Sequence, residues 1–115
     1  MQRRSEKEID QLFYALSDRT RRKMLLRLTK EHLNVSELGE PFGLTKQAIS
    51  KHLKVLEEAG LITKEKDGRI QKCQFNPQAL DAVQKVVQEY KQFWKNQLDA
   101  LDEFIEKTKQ NKKGK

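Results

Sequence analysis

Gln47, Ser50, Lys51, Lys54 and Glu58 stand at i, i+3, i+4, i+7 and i+11, which is one side of an α-helix. The opposite side of the same stretch carries Ala48, Ile49, Leu53, Leu56 and Ala59 as an apolar stripe, with Val55 at its margin. A helix divided in this way buries one face and offers the other to something polar. A DNA major groove about 12 Å wide admits one such helix. Within it, the Gln47 carboxamide bonds a base edge bidentately, and Ser50 and Lys51 donate to guanine or phosphate. Lys54, a turn further on, is better placed for the backbone. Thr45 precedes the helix as its N-cap, where its hydroxyl and the free amides of the first turn suit a phosphate.

A second arm follows Gly60. Leu61-Ile62-Thr63-Lys64-Glu65-Lys66, Asp67-Gly68 and Arg69-Ile70-Gln71-Lys72-Cys73-Gln74-Phe75 read as a hairpin. Asp-Gly is a strong signal for a two-residue turn, because both central residues tolerate positive φ. Lys64 and Lys66 come before the turn and Arg69 after it, so cations flank the tip. Set against the minor groove or its phosphates, they gain affinity by releasing counterions. A hairpin with merely solvated charges is the plainer alternative, and the position directly after two short helices argues against it.

Other chemistry finds few residues. No Ser/His/Asp or Cys/His grouping and no phosphate loop is present, and too little chain remains for a cofactor-binding domain, so the sequence does not read as an enzyme. Cys73 stands alone, which excludes an intrachain disulfide and a cysteine-rich zinc site. In a strand-like run it reads as a small core residue, with a redox sensor as the minority alternative. His32 and His52 fall in different elements and assemble no metal ligand set, and no cofactor is expected.

The elements that position these residues follow from the apolar spacing. Ile9, Leu12, Phe13 and Leu16 make one face of a first helix. Asp18 is a good N-cap for a second, bearing Met24, Leu25 and Leu28, and Ser36 is the expected cap of a third that runs through Leu38 to Phe42. Pro41 should leave that helix brief or distorted, and Gly43 ends it. The fourth helix runs from Lys46 to about Ala59 and stops at Gly60. Asn76-Pro77 opens the last, with Pro at its first position. Along it Leu80, Val83, Val87, Tyr90, Trp94, Leu98, Leu101 and Ile105 are spaced 3-4-3-4-4-3-4. This is a heptad-like seam with one stutter, or two helices meeting near Tyr90–Trp94.

The fold class is therefore mainly α with a small β-hairpin, a winged helix-turn-helix over residues 1–106, followed by a basic tail, 107–115, expected to be disordered. A three-helix core with one hairpin cannot bury all of this apolar surface. A homodimer is expected, built from Ile9, Leu12, Phe13 and Leu16 with Tyr90, Trp94, Leu98, Leu101 and Ile105; packing inside the monomer is the alternative for Tyr90 and Phe93. A two-fold axis would also space two reading helices about 34 Å apart.

Charge agrees with a nucleic-acid partner. Lys and Arg number 24 against 17 Asp and Glu, a net charge of +7 in 115 residues. Residues 76–106 are net acidic, so the surplus lies in residues 1–75 and in the tail, whose five lysines meet no acid. No run of about 18 apolar residues exists to span a membrane. The start, MQRRSEKEIDQL, lacks the apolar core of a signal peptide, so a cytoplasmic location is expected.

LFYALSDRTRRKMLLRL, then VSELGEPFGLTKQAISKHLKVLEEAGLI, then DGRIQKCQFNP resemble the ArsR-type (arsenical-resistance repressor) regulators of bacteria and archaea. The likeness spans roughly residues 9–105, and SKHLKVLEEAGLI is its most specific part. GEPFGLT and FWKNQLDALDEFIE resemble a subgroup without metal sites. The resemblance implies a transcriptional regulator, by family habit a repressor, whose partner is double-stranded operator DNA. It implies DNA contacts at Thr45, Lys46, Gln47, Ser50, Lys51 and Lys54 on the helix and at Arg69 on the wing, to which the hairpin reading adds Lys66 as a DNA-binding residue. His52 fills the family's SKHL position but lies near the buried edge of the stripe, where ordering the helix and touching DNA are equal alternatives. Arg19 departs from the family's usual Pro. Metal-sensing members carry cysteines flanking the Val at the start of the third helix, where this chain has Asn34 and Ser36, and residues 76–115 hold no His for the other usual site. A protein-binding winged helix is the competing class, but it calls for an apolar or acidic reading face, which Gln47, Ser50, Lys51 and Lys54 do not supply.

Overall fold

Two helix starts set the frame, and each is held by a side chain. The computed structural model describes residues 5–113, with side chains through residue 110. Helix α1 (Glu6–Leu16) begins in a capping box: Ser5 Oγ accepts the Glu8 N–H at 3.2 Å, and the Glu8 carboxylate accepts the Ser5 N–H. Helix α2 (Arg19–Lys30) begins at Asp18, whose Oδ2 accepts the Arg21 N–H at 2.9 Å.

Helix α3 (Val35–Gly39) starts earlier than its sequence suggests. Its cap is Asn34 rather than Ser36: Asn34 Oδ1 accepts the Glu37 N–H at 2.8 Å, and Glu37 returns the bond to the Asn34 N–H at 3.0 Å. Asn caps as well as Ser, and only Asn34 has a Glu three residues on to close the box; Ser36 would have Gly39. The helix then tightens at Pro41 into a 3₁₀ turn, Glu40–Phe42, and ends at Gly43 with φ 61°. Helix α4 (Lys46–Glu58) follows.

Strand β1 (Leu33–Asn34), which is too short for any alternating pattern, adds an unforeseen third strand. It pairs antiparallel with β3 (Ile70–Phe75), which also pairs with β2 (Ile62–Asp67), giving the order β1-β3-β2. The hairpin turn lies one residue later than the Asp-Gly signal places it. Asp67 pairs with Ile70, so Gly68 and Arg69 are the central residues. Only Gly68 has positive φ, 66°, the φ pattern of a type II′ turn, which needs a left-handed residue at its first central position alone.

The core gathers Leu12 and Ala15 of α1, Met24, Leu25 and Leu28 of α2, Leu38 of α3, Ile49, Leu53 and Leu56 of α4, and Leu33, Ile62 and Cys73 of the sheet. Leu12, grouped by sequence with a dimer-facing face, is 0% exposed in this core, and Leu16 packs against it. After a 3₁₀ turn, Pro77–Ala79, helix α5 runs unbroken over Leu80–Lys113. The first compact unit ends at Val83, and from Gln84 the helix forms a second. Within that second unit Tyr90 (74%) and Phe93 (64%) are exposed. The helix also continues beyond Glu106, where the sequence predicts no regular structure, with Thr108 Oγ1 donating to the Phe104 carbonyl at 2.9 Å. Lys and Gln in this segment are good helix formers without apolar periodicity, so the signal sought there was the wrong one. The last two residues of the tail, 114 and 115, lie outside the described residues.

Candidate nucleic-acid interface

The placement of α4 is set by a close approach. Gly39 of α3 lies against Ile49 of α4, so near that a Cβ at Gly39 would overlap Ile49 Cδ1 and Cγ1. Thr45, extended at φ −68° and ψ 158°, turns the chain into α4, and its Oγ1 accepts the Ala48 N–H at 3.1 Å. At the other end the Leu61 N–H reaches the Leu56 carbonyl and the Gly60 N–H the Glu57 carbonyl, with Gly60 at φ 78°. This is a Schellman closure, which sends the chain directly into β2.

Between these ends Ile49, Leu53 and Leu56 are buried, while Lys46, Gln47, Ser50, Lys51 and Lys54 are exposed, as is the cap Thr45. The helix thus presents one carboxamide, one hydroxyl and three ammonium groups on its open side, with Glu58 at the far end. His52 does not belong to that line. It is partly buried, with Nδ1 3.4 Å from Arg21 Nη1 and 4.0 Å from Asp18 Oδ2.

On the wing, Lys66 and Arg69 are exposed, and Arg69 is at the tip of the turn. With Asn34, Ser36, Ile70 and Gln71 they line a shallow cleft of about 370 Å³ beside the start of α3. Lys64 is not among the free cations of the tip: its Nζ lies 3.7 Å from Glu57 on α4. Lys72 pairs with Asp67 at 3.5 Å. The wing therefore offers its charge mainly through Lys66 and Arg69.

Two groups are shifted from their ordinary ionisation. The Arg21 backbone N–H holds the Asp18 carboxyl below its usual range, against the opposing effect of burial, and the charge of Arg21 adds to the lowering. Burial pushes the Cys73 thiol up. That thiol is fully buried across from Lys64 and Leu33, which makes it a core residue and a poor redox group. Among the described residues, no three His, Cys, Asp or Glu side chains are grouped to hold a metal ion, and no helix is long and apolar enough to cross a membrane.

Arg21 is the residue that sequence reasoning passed over. It is 7% exposed, and it stands at the i position of the α2 stripe completed by Met24, Leu25 and Leu28. A cation on an apolar face was the available signal.

A short helix, a glycine turn, a cationic reading helix and a basic wing define a DNA-binding winged helix-turn-helix. Residues 16–65 match the helix-turn-helix domain family. The chain is 39% identical over 83 residues to the HTH-type transcriptional regulator YuzN of Bacillus subtilis, covering 66% of this chain and 90% of that one. It is 34% identical over 61 residues to the transcriptional repressor SdpR of the same organism, covering 53% and 68%. The crystal structure of the ArsR family transcriptional regulator RHA00566 superposes with a TM-score of 0.76 at 32% identity, over 82% of this chain and 97% of the other. The chain belongs to the ArsR-type family of winged helix-turn-helix transcriptional regulators, which are not enzymes.

Proposed function

We propose that the chain is a cytoplasmic, homodimeric, sequence-specific DNA-binding repressor. Helix α4 enters the major groove, and the hairpin 61–75 lies against the adjacent backbone and minor groove. The observation that carries this reading is the exposed line of Gln47, Ser50, Lys51 and Lys54 opposite the buried Ile49, Leu53 and Leu56. Gln47 and Ser50, in the first turns of α4, read base edges; Thr45, Lys46 and Lys54 hold phosphates, and Lys51 reaches either. Lys66 and Arg69 hold phosphates from the wing. Repression is supported by the likeness to SdpR.

Dimerisation is supported by apolar surface left uncovered in the single chain. Trp94 (63%), Tyr90, Leu98, Leu101 and Ile105 are exposed along α5, with Phe93 and Phe104 beside them, and Phe13 is exposed on α1 with Ile9 and Leu16 at its edge. An apolar exposure of this extent on a charged protein marks an association surface. Metal independence is supported by Asn34 and Ser36, neutral oxygen-bearing side chains where metal-sensing relatives carry thiolates; Asn34 is moreover committed to capping α3.

The test is binding of the full chain to a duplex selected from a random library and to a scrambled duplex of the same composition. Gln47→Ala should lose about 1–3 kcal/mol on the selected duplex and little on the scrambled one. Equal losses on both would mean that α4 only positions the protein and the wing reads sequence.

A further inference from the structure

We propose that Arg21 is a positioning residue for DNA reading, and that it sets the rotation of α4 by holding His52. This rests on the reading of α4 as the helix that enters the groove. Among the described residues, Arg21 is the one charged side chain buried in the core. Each nitrogen of its guanidinium meets a different group. Nε donates to the Ala15 carbonyl at 2.8 Å, Nη2 donates to the Tyr14 carbonyl at 2.9 Å, and Nη1 lies 3.4 Å from His52 Nδ1. The Tyr14 ring covers the guanidinium at 4.9 Å.

The two carbonyls belong to the last turn of α1, and the Tyr14 carbonyl also accepts from the Ser17 N–H at 3.1 Å and the Ser17 hydroxyl at 2.6 Å. The third arm reaches the middle of α4. Arginine's planar fork has fixed donor directions, so two bonds to the α1 backbone fix the guanidinium plane and with it the directions of the two Nη1 N–H groups. An imidazole acceptor on that line fixes the rotation of α4 about its own axis. His52 Nδ1 must then be the acceptor, with the ring proton on Nε2. His52 follows Ser50 and Lys51 directly, so a rotation at this position carries both side chains across the groove floor. The Asp18 carboxylate, 4.0 Å from the same ring nitrogen, is bonded to the Arg21 N–H and balances the guanidinium charge, and it makes no bond to the unprotonated Nδ1. Lysine has no comparable fork and would satisfy only part of this arrangement.

A double-mutant cycle on the full chain tests the inference, using the selected and scrambled duplexes at a temperature where circular dichroism shows every variant folded. Arg21→Lys and His52→Ala should each lose roughly tenfold or more on the selected duplex and little on the scrambled one. The double variant should be no worse than the weaker single, because both remove one link. His52→Asn, which puts an amide oxygen where Nδ1 stands, should retain most of the selectivity. His52→Gln, which puts its amide where Nε2 stands, should not. Additive losses, rescue by Gln instead of Asn, or folded variants that bind as the wild type does would each overturn the proposal. If the wild type fails to distinguish the two duplexes, the reading of α4 falls and this inference with it. If it distinguishes them and the cycle is additive, only the inference falls.

Discussion

Cations that look alike in the sequence are separated by their partners. Among the described residues, Lys54 and Arg69 are exposed and form no ion pair, whereas Lys64 is drawn to Glu57. Lys54→Ala and Arg69→Ala should each weaken selected and scrambled duplexes alike and flatten the slope of log affinity against log salt by about one. Lys64→Ala should change that slope least, and a salt titration of the three variants orders them. Cys73 is expected to be silent. Its thiol is buried and held protonated by burial, so a disulfide-exchange reagent should label it only after unfolding, and mild oxidant should leave DNA binding intact. Stoichiometric labelling of the native protein would restore the redox reading. Asp18 carries an acid limb of stability. A carboxylate held below its unfolded value near 3.8 stabilises the fold fully above that value and loses the contribution as pH falls through the lower, folded one. Asp18→Ala should cost about 1 kcal/mol at neutral pH. Asp18→Asn, itself a good cap, should stay near wild type there and lose the acid dependence between about pH 5 and pH 2, as thermal melts across that range would show.

The elements depend on contacts that leave little slack. Gly39 at the crossing of α3 and α4 has no room for a methyl group, because Ile49 occupies it. Gly39→Ala should therefore destabilise by about 1–3 kcal/mol through overpacking, and Gly39→Ala with Ile49→Val should recover part of the loss. A melt in which the single variant is as stable as wild type would mean that α4 moves away readily, and that the crossing does not fix the reading helix. The wing depends on Gly68 in the same local way. Its left-handed conformation puts Arg69 at the turn, so the cation projects from the tip rather than from a paired strand.

For the whole molecule, the decisive quantity is how much apolar surface one chain leaves uncovered. Tyr90, Trp94, Leu98, Leu101 and Ile105 are exposed, and in the proposed homodimer a second copy removes them from water and sets the spacing of the two copies of α4. Light scattering at micromolar concentration should give a dimer. Trp94→Lys with Leu98→Lys should give a folded monomer that has lost most of its affinity for a two-half-site duplex. A wild-type monomer would remove this assembly. Zinc, cadmium or arsenite at stoichiometric concentration should leave the affinity for DNA unchanged.

The sequence by itself determined the helical faces, the caps at Asp18 and Thr45, the hairpin and the family, because these depend on periodicity and on bonds between residues three or four apart. The open face of α4 was legible for that reason: Gln47, Ser50, Lys51 and Lys54 share a side by helical geometry alone. What depends on residues far apart was not legible. Strand β1 exists only because β3 passes beside Leu33 and Asn34, and two residues carry no pattern of their own. Leu12 shares a helical face with Phe13 and Leu16, yet only the packing of α2 and α4 decides that it is core while Phe13 stays exposed. Arg21 and His52 are 31 residues apart, and their pairing is created by the crossing of α2 and α4. Periodicity says which side of a helix is turned inward; only tertiary structure says which groups meet there.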